Sequence, residues 1–324
     1  MVQSSYHSFI GKELQGFIDY KRAMGYKYDC EAYIAHRFDD YWEKTNGCEN
    51  RITRESLLGW MERLPGEGVS SRSMRISIVR QFALYLNGIG KEAYIPPDKY
   101  IKERPVIHIL SSEELQALFR SIDEYEPRRF PTFSIRMRAE YKVLFRLILT
   151  TGLRRGEAAG IRVNDIDWKE RTITIYNGKG NKDRLVYMSA DMTDLLRDYV
   201  EYLFSFVRRE TEWLFPSFCI DDHVSAAALA ITFKRYWKMT PFSRSCEKDP
   251  TIHSLRHTYV VFRMNMWIAQ GVDVNLMLPY LSRQLGHKSP DETFYYYHQV
   301  KDSFRIIQEK DSLSPDIFPE VRVR

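Results

Sequence analysis

The sequence predicts a mainly helical protein of two domains, the second carrying one small antiparallel β-sheet. Three observations lead there. Apolar residues recur at helical spacing through most of the chain. One alternating stretch, RTITIYNGKGNKDRLVYM at residues 171–188, breaks that rhythm around a Gly-rich turn and reads as two or three short strands. A segment rich in proline and charge, YIPPDKYIKERP at residues 94–105, separates two helical regions and reads as an extended linker.

The first domain is read as four helices. Phe9 to Met24 places Phe9, Ile10, Leu14, Phe17, Ile18 and Tyr20 on one side. Glu31 to Lys44 does the same with Tyr33, Ile34, Phe38, Tyr41 and Trp42. Thr53 is a plausible N-cap for Arg54 to Leu64, which PGEG at residues 65–68 stops. Ser70 to Asn87 is apolar at Met74, Ile78, Phe82 and Leu86 and basic at Arg72, Arg75 and Arg80. Past the linker, Ser111 or Ser112 can cap LSSEELQALFRSI, whose glutamates suit a helix N-terminus. Tyr141 to Thr151 is an apolar helix ending near Gly152, and the strands follow. Four more helices are predicted over Ala190–Arg208, Ser225–Lys238, His253–Gln270 and Leu276–Gly286.

Composition narrows the class. At 324 residues the chain has room for two domains. Its 44% hydrophobic and 28% charged residues are those of a soluble globular protein, and no apolar run reaches membrane-spanning length. MVQSSYHSFIGKELQ has no basic region followed by an apolar core, so no secretory signal is predicted. The four cysteines, Cys30, Cys48, Cys219 and Cys246, are scattered without a CxxC pair. That spacing argues against a zinc module or a disulfide framework and fits a reducing compartment. A net charge of +5 permits nucleic-acid binding without establishing it.

Polar clusters gather in three stretches of the second domain. TTGLRRGEAAGI, residues 150–161, suggests a turn that presents Arg154 or Arg155 to an anion; the plain alternative is a surface turn with a Glu157 ion pair. NGKGNKDR, residues 177–184, can hold Lys179 at a hairpin tip, or be a solvated basic turn. It lacks the GKS or GKT ending of a phosphate-binding P-loop. In IHSLRHTYV, residues 252–260, His253, Arg256 and His257 share one helix face. Two histidines four apart are also a zinc spacing, but Ser254 stands where HEXXH needs glutamate. Finally LGHKSPDETFYYYH sets His287 on a Gly turn ahead of three consecutive tyrosines.

Taken in this order, TGLRxxE, GKGxK, HxLRH and LGH followed nine residues later by tyrosine, the chain resembles the tyrosine recombinase (phage integrase) family. The resemblance covers about Ile109 to Lys310 and implies the family's DNA breaking-rejoining catalytic fold, with a core-DNA-binding domain ahead of it. The domains are then 1–93 helical and DNA-binding, 94–108 linker, 109–310 catalytic, and 311–324 a C-terminal tail. Such enzymes cut and rejoin DNA through a 3′-phosphotyrosyl intermediate, without metal, ATP or any other cofactor. The resemblance makes Arg154 and Arg256 the guanidiniums that hold the scissile phosphate, and Lys179 the acid that protonates the departing 5′-oxygen. His253 matches the family's acid/base residue and His287 its second histidine. Glu157 becomes supporting, Arg155 falls on a variable position and is expected to face elsewhere, and His257 falls where the family packs its helix.

The family spacing of nine residues from His287 selects Tyr296 as nucleophile over Tyr295 and Tyr297. On a helix those neighbours point about 100° to either side. Arg72, Arg75, Arg80, Lys182 and Arg184 are candidate DNA contacts. The implied partners are double-stranded recombination sites and other copies of the chain in a tetramer on DNA, with room for accessory proteins and none for a membrane. The implied place is the cytoplasm, on the nucleoid. LPYLSRQLGH is worded like the transposon-encoded branch, and the interval from Arg256 to His287 is longer than the family's usual one, suggesting an added loop or helical turn. Phe304, Ile306 and Ile307 suggest a C-terminal helix that packs on its own domain or on a neighbour. Two rival readings are a type IB topoisomerase and a noncatalytic DNA-binding regulator on the same scaffold. A metallohydrolase built on His253 and His257 is a more distant one.

Overall fold

Helical periodicity accounts for most of the architecture. A computed structural model of the chain describes residues 6–97, 107–126, 131–176, 183–207, 211–218, 220–287 and 289–296, with the side chains of 131–134 left out. The chain divides into two compact units, Met1–Val106 and Ile107–Arg324.

The first unit holds α1 (Gly11–Ala23), α2 (Asp29–Asn46), α3 (Arg54–Met61) and α4 (Val69–Gly88). Leu14, Phe17 and Ile18 of α1 meet Phe38 and Trp42 of α2, Leu57 and Trp60 of α3, and Ile78, Phe82 and Leu86 of α4. Thr53 caps α3 as expected: its Oγ1 accepts from the Ser56 N–H at 3.2 Å, and Ser56 Oγ accepts from the Thr53 N–H at 3.0 Å. Four residues placed on the apolar faces from sequence are exposed instead, Phe9 at 57%, Tyr20 at 49%, Tyr33 at 66% and Met74 at 52%.

The inner place beside Met74 belongs to Arg75, which is buried. Its Nε and Nη2 donate to the Glu67 carboxylate at 2.9 and 2.8 Å, its Nη2 also to Glu62 O, and its Nη1 to Trp60 O. The guanidinium also lies 4.7 Å from the centre of the Trp60 ring. Expected as a DNA contact, Arg75 is instead buried, with its guanidinium bonded to partners inside the unit. Arg72 and Arg80 stay half-buried on the rim, donating to Met61 O and Pro96 O.

The second unit opens with α5 (Ser112–Asp123) and α6 (Pro131–Thr151), then the short α7 (Arg155–Ala159). Ser111 caps α5 in a capping box with Glu114. Three strands follow, β1 (Ile166–Asp167), β2 (Thr172–Ile175) and β3 (Arg184–Tyr187), in an antiparallel sheet of order β1-β2-β3. Ile173 pairs with Val186, and both face the core. The strand β1 lies ahead of the alternating stretch that the sequence marked, and the Gly-rich turn at 177–182 lies outside the described residues.

Helices α8 (Ala190–Phe206), α9 (Ala226–Met239), α10 (Ile252–Ala269), α11 (Val274–Leu285) and α12 (Pro290–Phe294) complete the described residues. The main core runs from Leu118 through Phe145 and Ile148 to Leu196, Phe215, Phe233 and Trp237. A smaller cluster packs Tyr259, Val260 and Met264 of α10 against Leu278, Leu281 and Leu285 of α11, and Tyr296 belongs to it. The long interval from Arg256 to His287 is filled by the rest of α10, a turn through Gly271, and α11. No described helix is long and apolar enough to cross a membrane.

Candidate active site

The site is organised by α10. Ser254 Oγ accepts from the Thr251 N–H at 3.1 Å and secures the first turn. One turn on, Arg256 projects inward and is 1% exposed. Its Nη1 donates to Gly152 O, just after α6. Its Nη2 donates to Leu285 O at 2.9 Å and meets His287 Nε2 at 2.9 Å. A guanidinium is only a donor, so His287 Nε2 must be the accepting nitrogen. Nδ1 then carries the ring proton and donates to Thr293 Oγ1, 2.7 Å away.

Both turns that receive Arg256 depend on glycine. Gly152 has φ +71°, and a Cβ there would meet Tyr259 Cδ1 at 2.6 Å. Gly286 has φ +64°, and a Cβ would lie 2.9 Å from Arg184 Cζ. These are the glycines of the TTGLRR and LGH stretches.

Arg154 joins the same turns from the other side. Its Nη2 donates to Gly286 O at 3.0 Å and its Nη1 to Glu157 Oε1 at 2.8 Å. Glu157 also receives both Nη atoms of Arg184, at 3.0 and 2.7 Å. Burial alone would push the Glu157 carboxyl up, but donors from Arg184 and Arg154 outweigh it and hold the group below its ordinary value. Arg184 also donates from Nε to Gln284 O at 2.8 Å. Expected as a DNA contact, Arg184 is instead a buried strut between β3, α7 and the end of α11. All three of its guanidinium nitrogens are engaged inside the protein.

His253 and His257 stand one turn apart with ring centres 4.5 Å apart, edge to face. Desolvation, then the charges of Arg256, Arg154 and Arg155, hold His253 down at about 4. Desolvation and neighbouring His253 and Arg256 hold His257 at about 3. Both rings are therefore neutral at neutral pH. Arg256 is lowered to about 10 by burial and by Arg154, and keeps its charge. The Tyr296 phenol is raised by burial despite the opposing pull of Arg256, so it stays protonated. Its oxygen lies 2.7 Å from His257 Nδ1.

Arg154, Arg155, Glu157, Lys234, Thr251 and His253 line a cavity of about 910 Å³. Arg155, expected to face elsewhere, is on its wall. Of the residues predicted from sequence, Arg154, Glu157, His253, Arg256, His257, His287 and Tyr296 come together in this region. Lys179, Lys182 and Tyr297 lie outside the described residues, as do Phe304, Ile306 and Ile307. Sequence reasoning missed Thr293 and Gln284; the latter donates to Thr151 O and to the Tyr259 hydroxyl. Among the described residues no three His, Cys, Asp or Glu side chains form a metal-binding group, so the histidine pair has no third ligand there.

A family model described as the phage integrase family matches residues 109–303, well over half of the chain. The chain belongs to the phage integrase family, the tyrosine recombinases. A putative integrase/recombinase, y4rB of Sinorhizobium fredii, is 27% identical over 289 residues, 87% of this chain and 90% of the relative. Tyrosine recombinase XerA of Saccharolobus solfataricus is 25% identical over 273 residues, covering 82% and 81%. Among solved structures, Tn1549 transposon integrase with a circular intermediate DNA superposes with TM-score 0.64 at 16% identity, covering 92% of this chain and 99% of that one. XerH recombinase on a palindromic difH substrate, a post-cleavage complex, gives 0.63 at 20% identity, covering 90% and 79%. These two establish that this recombinase shares their mainly helical fold.

Proposed function

We propose that this tyrosine recombinase carries out site-specific breakage and rejoining of duplex DNA, with Tyr296 as the nucleophile. The observation that carries this reading is the convergence of distant motifs: Arg154, Arg256 and His287 are joined through the Gly152 and Leu285–Gly286 turns. Tyr296 meets the same helix one residue after Arg256.

In the reaction, Tyr296 Oη forms a bond to the scissile phosphorus as its proton passes to the neutral imidazole of His253, the family's acid/base residue, and the bond from phosphorus to the 5′-oxygen breaks. Charge builds on the nonbridging oxygens, and the guanidiniums of Arg154 and Arg256, already held by backbone carbonyls, stabilise it without reorganising. Donors held this way are each worth about 10²–10³ in rate. His287, fixed as the Nδ1–H tautomer, and neutral His253 complete the phosphate's surroundings. Lys179 gives a proton to the departing oxygen, an alkoxide that otherwise leaves poorly. The phosphotyrosyl bond conserves the energy of the broken phosphodiester, so rejoining needs no nucleotide, and cationic side chains rather than a divalent metal supply the charge.

The partners in this reading are two DNA sites bridged by a tetramer of the chain, on the nucleoid in the cytoplasm. The helical first unit contributes DNA contacts through residues other than Arg75. That the relatives solved on DNA include a transposon integrase supports a mobile-element role.

A suicide duplex incubated with the protein in EDTA tests the chemistry. A covalent adduct should form, survive chelation, and vanish in Tyr296→Phe while persisting in Tyr295→Phe and Tyr297→Phe. Loss of the adduct on chelation would remove the metal-free mechanism, and an adduct in Tyr296→Phe would remove the nucleophile. Strand exchange between two sites separates a recombinase from a topoisomerase-like nicking enzyme.

A further inference from the structure

The sequence assigned His257 to helix packing, yet its ring is the one that touches the phenol. Its Nδ1 is 2.7 Å from Tyr296 Oη, while the ring of His253 stands edge-on to it on the preceding turn. The ring centres of His257 and Tyr296 are 5.3 Å apart and tilted by 40°, so the rings are not stacked face to face and the 2.7 Å contact is between the two polar atoms. A histidine that merely packed would turn apolar edges toward the cluster of Tyr259, Val260 and Leu281. Here the half-buried ring instead presents a nitrogen to a phenol oxygen that is itself withdrawn from solvent.

We propose that His257 is a positioning residue for the nucleophile, accepting the phenolic hydrogen of Tyr296 at Nδ1 and thereby aiming Oη. The proposal rests on the assignment of Tyr296 as nucleophile and adds a residue to it.

Three features support this role over simple proton abstraction. Tyr296 is the second residue beyond the five-residue α12, and its ring is packed in the cluster of Tyr259, Val260 and Leu281. The hydrogen bond ties its oxygen to the long α10, the element that also holds Arg256. The direction is that of the Nε2–H tautomer of His257, in which Nδ1 is bare and accepts the hydrogen of a protonated phenol. In addition, an imidazole held so far below the phenol in basicity cannot take the proton in the ground state. It can orient the oxygen until phosphorus draws its electron pair.

Asparagine places a polar atom where histidine has Nδ1, glutamine places one nearer Nε2, and leucine places none. Single-turnover adduct formation is measured for wild type, His257→Asn, His257→Gln and His257→Leu, on a suicide duplex with an ordinary 5′-oxygen and on one with a bridging 5′-sulfur. Sulfur leaves without a proton, so a defect on the leaving-group side disappears with it, whereas a defect at the nucleophile remains. His257→Leu should slow cleavage about tenfold on both substrates, as loss of one net hydrogen bond implies. His257→Asn should recover most of that rate, with His257→Gln between the two. A wild-type rate in His257→Leu would show packing alone. Rescue of His257→Leu by sulfur would move the residue to the leaving group, and His257→Asn as slow as His257→Gln would refute the aimed bond. That last comparison serves even where the leucine variant does not fold. Tyr296→Phe run alongside separates the two ideas: adduct in that variant overturns the nucleophile, whereas the His257 series is read only as ratios to wild type.

Discussion

Arg256 and His287, 31 residues apart in sequence, meet through a 2.9 Å hydrogen bond from Nη2 to Nε2. The bond does two things at once. It locks the HxLRH helix to the LGH turn, and it fixes the histidine tautomer because guanidinium cannot accept. Arg256 thus serves Gly152 O, Leu285 O and His287 together, a demand that only a planar fork meets.

Arg256→Lys should therefore behave as a loss rather than a conservative exchange. A single ammonium cannot reach all three partners, and the charge at the phosphate is displaced. We expect adduct formation to fall by about 10² or more. Affinity for duplex DNA, measured by fluorescence anisotropy at the same salt, should change little, because one buried guanidinium is a small part of a phosphate-tracking interface. Equal falls in affinity and cleavage would contradict this division.

Glu157 links site geometry to acidity. Its folded carboxyl is held below the ordinary value by Arg184 and Arg154 against the opposing effect of burial. A depressed folded pKa contributes stability that is fully present above the unfolded value, about 4.3, and is lost as pH falls through the folded value. Glu157→Gln should lower the melting temperature at pH 7, with a cost of about 3–5 kcal/mol for leaving Arg184 uncompensated. The gap between variant and wild type should narrow below pH 4. A gap independent of pH would mean that the carboxylate charge is not what matters.

Much of this site was legible because its chemistry comes in fixed short words. TGLRRGE, HSLRH and LGH each place a charged group next to a backbone feature, and the nine-residue interval to Tyr296 needs no tertiary information. The helices were legible for a similar reason, since Thr53 and Ser111 announce their own starts. What the sequence concealed were the partners of long basic side chains. Arg75 and Arg184 look like surface cations in one dimension, but Glu67 and Glu157 are their counterions, and only folding brings each fork to its carboxylate. Met74 fails similarly, because helical periodicity cannot tell which of two neighbouring residues turns inward when the Arg75–Glu67 ion pair takes the inner place, whereas beside Tyr33 the inner places go to the small Ala32 and Ala35. The contact between His257 and Tyr296 crosses from one helix to a residue beyond another, and no periodic pattern encodes it.

The reassignment of Arg75 gives a direct prediction for the first unit. Arg75→Leu leaves Glu67 without its counterion and frees the carbonyls of Trp60 and Glu62. Thermal or urea melts should show a loss of about 3 kcal/mol or more. DNA affinity measured well below the melting transition, as a function of salt, should keep the wild-type slope. Removing a true phosphate contact would reduce that slope by about one. A lowered slope with unchanged stability would return Arg75 to the DNA surface.

Glu140 offers the opposite pH signature within the second unit. Burial on α6 pushes its carboxyl up to about 8, more than Arg136 and Tyr199 pull it down, although Arg136 Nε stands only 3.8 Å away. A carboxyl raised in the folded state binds its proton more tightly there than in the unfolded chain. Folding is therefore unpenalised below about pH 4.3, the unfolded value. The cost accumulates through the window from there to about 8, where the buried group is finally forced to ionise. Glutamine has the shape of the protonated acid and does not titrate. Glu140→Gln should match wild type in melting temperature near pH 5 and exceed it near pH 8. Wild type melting higher than the variant at pH 8 would show instead that the ionised pair with Arg136 is worth more than its desolvation.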